Sequence, residues 1–160
     1  MTKQTPGAIV LFAITCALGP AASAADHALD FKLVVKPLEV KGLEAPNVEG
    51  QVVFLNKMYG VAAFKDGRTA SKEFIFSGDY NKGSGPFLGY STYQFEDGST
   101  IVARFAGTQR AGTPIHGEYT VVSGTGVYAG AKGSGSFDGV PHKFTGGVNL
   151  FSGKFAISTP

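Results

Sequence analysis

Glycine punctuates this chain too densely for long helices and marks out a two-residue rhythm. Of its 23 glycines only Gly7 and Gly19 precede residue 25. An interior glycine costs a helix about 1 kcal/mol relative to alanine. Between the glycines, apolar and polar residues alternate, the pattern of a strand with one buried face. Leu29, Phe31, Leu33 and Val35 alternate with Asp30, Lys32 and Lys36. Phe74 and Phe76 flank Ile75, and Phe87, Tyr93 and Phe95 share one parity. Ile101, Ala103 and Phe105 repeat the pattern, as do Ile115, Tyr119 and Val121. Turn signals separate the runs: Lys65-Asp66-Gly67, Asn81-Lys82-Gly83, Glu96-Asp97-Gly98, Ala111-Gly112 and Ser123-Gly124. About eight strands at spacings of roughly 8–12 residues predict an all-β sandwich or barrel. In the last run the apolar parity changes from Val148 and Leu150 to Phe151, Phe155 and Ile157, so a bulge is expected near Gly153. Val40 to Val48, with Pro37 and Pro46 near its ends, reads as a connection.

The first 24 residues carry a different signal. Lys3 precedes the apolar stretch Ala8 to Leu18, and Ala22-Ser23-Ala24 supplies small residues for cleavage. This is the layout of a secretory signal peptide, too short in its apolar part to span a bilayer. Cleavage after Ala24 gives a periplasmic or secreted protein, with residues 25–160 forming one domain. The one cysteine, Cys16, leaves with the signal, so no disulfide braces the remainder. Loss of Lys3 takes the formal charge from +2 to +1. No basic block marks a nucleic-acid footprint, and no later stretch would cross a membrane.

The segment from Tyr119 to Gly139 offers the sharpest choice between function and structure. Gly124, Gly126 and Ala129 fit the G-x-G-x-x-[G/A] dinucleotide fingerprint, which needs a helix to begin inside it. Gly130, Gly133 and Gly135 forbid that helix, and only 34 residues remain after Gly126. The segment therefore reads as a turn between strands. Gly124 and Gly126 supply positive φ or close backbone approach.

The same turn carries a resemblance. Gly124-Thr125-Gly126-Val127-Tyr128-Ala129-Gly130-Ala131-Lys132-Gly133, set between strands, resembles the turn of the barrel family that includes plant allene oxide cyclases and dirigent proteins. Phe95-Glu96-Asp97-Gly98-Ser99-Thr100-Ile101 is similar to the dirigent hairpin that precedes it, and Phe54-Leu55-Asn56-Lys57-Met58-Tyr59 to the F-x-N-K-x-Y stretch of the cyclases. The likeness runs from about Val52 to Ile157. It implies a single eight-stranded antiparallel barrel with an apolar lumen. In the cyclases the matching phenylalanine lies beside the substrate's developing cation, and the asparagine helps hold a water near the epoxide oxygen. The positions here are Phe54 and Asn56. The first strand lacks the glutamate and asparagine that cyclases carry two residues apart, so the catalytic residues stay unassigned.

No other motif supplies chemistry. His27, His116 and His142 form no pair at metal spacing, so no metal is expected. No serine stands in a G-x-S-x-G elbow, and no cofactor motif survives. Glu118 is mid-strand and is expected to face solvent. The aromatic content is more telling: six tyrosines and, after residue 24, twelve phenylalanines, with no tryptophan. An eight-stranded barrel either packs solid or holds one small ligand. A Phe-lined lumen with a few polar groups suits a small apolar or phenolic molecule, and Phe54, Asn56, Tyr59 and Tyr93 are the candidate ligand-binding residues. Three functions remain open: binding of such a molecule, cofactor-free cyclisation or coupling by shape and orientation, and a non-catalytic structural or interaction barrel. Each is compatible with a homo-oligomer.

Overall fold

The computed structural model describes residues 25–160; the expected signal peptide, residues 1–24 with Cys16, lies outside the described residues. Eight strands follow one another: β1 (Ala25–Glu44), β2 (Gln51–Phe64), β3 (Thr69–Asn81), β4 (Gly85–Phe95), β5 (Thr100–Gln109), β6 (His116–Thr125), β7 (Lys132–Val140) and β8 (Asn149–Thr159). Each pairs antiparallel with its successor, and β8 returns to β1, closing an all-β barrel. Among the described residues no helix is long and apolar enough to cross a membrane.

Strand alternation sends one parity inward, and there the glycines find their purpose. Phe54 lies opposite Gly78, Phe31 opposite Gly153, and Phe137 opposite Gly117. Phe87 and Phe105 face Gly107 and Gly89 in the same way. At each of these glycines an added Cβ would come within 2.3–2.6 Å of the facing ring. A bare position on one strand thus leaves room for a phenyl ring on the next. Without that exchange a lumen eight strands wide could not hold so many rings at native packing density.

Two expectations need correction. β8 keeps one register against both neighbours, with no bulge at Gly153. Its inward residues are Phe151, Gly153, Phe155 and Ile157, while Leu150 belongs to the outward parity. The register shifts lie instead between Pro37 and Glu39 of β1 and between Val102 and Ala103 of β5. Nor is Val40 to Val48 wholly a connection, because β1 continues through Pro37 to Glu44. Pairing with β8 ends at Val35, so Pro37 stands where one side of β1 is already a free edge and its missing N–H costs no ladder bond. Residues 36–44 therefore rest on β2 alone.

The two barrel ends differ. Tyr128, on the short 3₁₀ turn Gly126–Tyr128, is fully buried and stoppers the end that also holds Phe64 and Phe95. Its hydroxyl accepts a hydrogen bond from Arg68 Nη1 at 2.5 Å, and the guanidinium lies 5.3 Å from the centre of the Phe95 ring. Gly126 has φ 61°, in the left-handed region that favours glycine, and a Cβ there would meet Ser99 Cβ at 2.8 Å. Gly124 has no positive φ; it is needed because a Cβ would strike the Tyr128 carbonyl oxygen at 2.3 Å.

Candidate lumen site

The opposite end is not plugged. A cavity opens there between the starts of β4 and β8, the end of β3 and the segment before β6. The space there open to the centre of a water-sized sphere is about 50 Å3, within about 420 Å3 of empty volume that includes open solvent. Phe74, Phe76, Phe87, Phe105, Phe137 and Phe151 wall it, with Leu33, Tyr80 and Ile115. The one amine in its lining is Lys72, set beside Tyr119.

β3 places Lys72 there by necessity. Ala70, Lys72, Phe74 and Phe76 share the inward parity, and a one-residue slip would turn Glu73 and Asp79 into the lumen instead. In the register Lys72 stands between Gly60 of β2 and Tyr93 of β4, and a Cβ at Gly60 would strike the Val34 carbonyl oxygen at 2.4 Å and Val35 Cγ1 at 2.6 Å. Lys72 is 3% exposed. Its Nζ donates to Tyr119 Oη at 2.7 Å, and Tyr93 Oη donates to the same oxygen at 2.9 Å. No carboxylate pairs with Lys72 among the described residues.

Burial governs the ionisation of this trio. Desolvation holds the Lys72 amine well below the usual lysine range. It also raises the Tyr119 and Tyr93 phenols, keeping both protonated. The rings pull the other way on Lys72. Nζ lies 4.5 Å from the centre of Phe74, 4.9 Å from Tyr93 and 5.0 Å from Tyr119. Such contacts contribute about 0.5–2 kcal/mol each and share a single cation. Burying an unpaired ammonium costs of order 20 kcal/mol in the ideal limit and several kcal/mol after relaxation. Desolvation outweighs those contacts, so the lumen shifts the amine toward its unprotonated form.

The four residues expected to bind ligand are dispersed, and none lines the cavity itself. Phe54 packs against two of its walls, with ring centres 4.8 Å from Tyr80 and 5.7 Å from Phe76. Asn56 shares the inward parity of Phe54, and its Oδ1 is buried without a donor. Tyr93 lies outside the lining but touches two of its members, with its hydroxyl on Tyr119 and its ring 4.9 Å from Lys72 Nζ. Tyr59 stands on the outward parity between exposed Lys57 and Val61, facing away from the lumen. Lys72 is the residue that motif reading misses, although its parity with Phe74 and Phe76 was available to find it. Tyr80, also in the lining, has its phenol raised by burial. Glu118 is exposed, and His116 Nδ1 lies 2.7 Å from Asp138 Oδ1 on the outer surface.

No protein-family profile and no curated protein matches the chain. Solved structures do. The pterocarpan synthase dirigent protein GePTS1 superposes with a TM-score of 0.58 at 15% identity, over 84% of this chain and 90% of that one. The pterocarpan synthase dirigent protein PsPTS1 gives 0.50 at 16%, over 85% and 95%. A protein of unknown function of the DUF3224 family from Shewanella oneidensis MR-1 gives 0.49 at 17%, over 83% and 97%. The chain thus has the closed eight-stranded antiparallel barrel fold seen in dirigent proteins.

Proposed function

We propose that the barrel binds a small apolar or phenolic molecule in its lumen and steers a cofactor-free cyclisation or coupling of it. The aromatic cavity at the unplugged end, with one amine and one phenol as its polar floor, carries this reading. Apolar walls with a few convergent polar groups are the usual form of a small-molecule site. A reaction guided by orientation and exclusion of water needs little acid–base machinery. The pterocarpan synthase names of two structural neighbours support the same direction. Export by the segment 1–24 would place the activity in the periplasm or outside the cell, and a mature mass starting at Ala25 would check it.

Asn56 lies behind the wall, opposite Phe76 in the β2–β3 register, and its donorless Oδ1 would take a ligand hydroxyl that reaches past that ring, since an unpaired buried amide oxygen costs about 1–3 kcal/mol. The test is displacement of the neutral dye N-phenyl-1-naphthylamine by phenolic and fatty compounds. Phe54→Ala and Asn56→Leu are expected to weaken binding of oxygenated hits about tenfold while the fold survives. Failure of every compound to displace the dye would favour a structural barrel.

A further inference from the structure

Lys72 is an expensive residue to keep on the inward face of β3. Ala70, Phe74 and Phe76 beside it show what that face otherwise accepts. The amine has no carboxylate partner among the described residues, it lines the cavity, and a phenol hydroxyl lies 2.7 Å away with a second phenol behind it. We propose that Lys72 is a covalent docking point, whose amine adds to the carbonyl carbon of an apolar aldehyde or ketone seated in the cavity and forms an imine. The proposal rests on the lumen-binding function above and names its substrate class.

The step balances without a redox partner. The Nζ lone pair forms the C–N bond, and the carbonyl π electrons move to oxygen. A proton passes from nitrogen to that oxygen, giving a carbinolamine. Protonation of its hydroxyl and loss of water leave a protonated C=N bond, which gives that proton back, so aldehyde and amine become imine and water. Tyr119 is placed to relay the protons, since its hydroxyl touches Nζ and is itself held by Tyr93. Burial keeps both phenols protonated and shifts the amine toward its unprotonated form, the states in which each is useful. An ordinary lysine near pKa 10.4 is neutral in only roughly one molecule in 2,500 at pH 7. The exposed lysines Lys32, Lys57 and Lys154 stand outside the cavity, with no seated carbonyl beside them.

The experiment uses the mature protein, cinnamaldehyde, cinnamyl alcohol and cinnamate. Displacement of N-phenyl-1-naphthylamine measures binding, and cyanoborohydride reduction followed by peptide mapping locates any imine. The expected result is displacement by aldehyde and alcohol alike, with trapping at Lys72 at least tenfold faster than at any exposed lysine. Lys72→Met should abolish that adduct and leave the alcohol's displacement in place; the wild-type peptide map decides the matter even where the variant folds poorly. Displacement with adducts only on exposed lysines overturns the imine and leaves the lumen function standing. Displacement by cinnamate that depends on Lys72, without trapping of the aldehyde, assigns the residue to ion pairing and also overturns it. Displacement by none of the three overturns both.

Discussion

At the plugged end of the barrel, rings close upon rings. Phe31 lies 5.4 Å from Phe64 and 5.5 Å from Tyr93, and Tyr128 lies 5.0 Å from Phe95, all buried. At the open end, Phe74, Phe76 and Phe151 meet rings on one side and empty space on the other, and each is only partly buried. The same residue type thus serves cohesion below and access above. What separates the ends is the closure beneath them. One has Tyr128 on a tight turn, and the other lies beside a β1–β2 hairpin that runs past the last β8 pairing.

The largest test of this contrast is truncation of a ring at each end. Phe31→Ala should cost about 3–5 kcal/mol. Phe151→Ala, whose ring already borders a void, should cost less than half as much. Urea unfolding midpoints measure both, and equal losses would break the contrast. Next in size is Gly126→Val, which forces a β-branched residue to positive φ and presses its Cβ onto Ser99. Strain of this kind costs about 1–3 kcal/mol, and a thermal melt should show it as a clear fall in Tm.

Lys72→Met sharpens the contrast from the other side, since it is expected to stabilise. The folded pKa of Lys72 is lowered, so between that value and the unfolded one the unfolded chain binds an extra proton. The lysine therefore penalises folding at neutral pH, and the penalty fades as pH rises toward about 10.4. Within that window wild-type stability should gain up to about 1.4 kcal/mol per pH unit relative to the variant. Parallel pH profiles would show that the amine is not buried in the folded protein. The smallest effect belongs to His116, whose pKa is raised by its hydrogen bond to Asp138 on the exposed surface. That contribution is complete below about pH 6.5 and lost as pH climbs through the raised value. His116→Gln should cost a few tenths of a kcal/mol at pH 5.5 and nothing at pH 9, by chemical denaturation.

The barrel's walls were readable because period-two alternation and glycine turns are local signals. The Lys65–Gly67, Asn81–Gly83 and Glu96–Gly98 turns fall between strands as their residues require. The extension of β1 was not readable, because Pro37 reads as a break until one knows which edge of its strand is free. Leu150 misled in a similar way, as an apolar residue near the mouth on the outward parity. The site was only half legible. Asn56 follows Phe54 by two residues and shares its face, while Tyr59 follows by five and must take the other, whatever the motif suggests. Lys72 obeys the alternation but defies the expectation that lysines face water, and the cost of that exception is visible only in three dimensions.

The order of pairing has a kinetic consequence. Seven of the barrel's seams join strands adjacent in sequence, so each can form as a hairpin in roughly microseconds. The last joins β1 to β8, from Ala25 with Thr159 to Val35 with Asn149. Bringing such distant segments together pays the full loop-closure entropy before any contact repays it. Leu33 of β1 and Phe151 of β8 face each other across this seam, and both wall the cavity. The pocket therefore comes into being only when the final seam zips, and a bound ligand would slow the opening of that seam without hastening the hairpins that precede it.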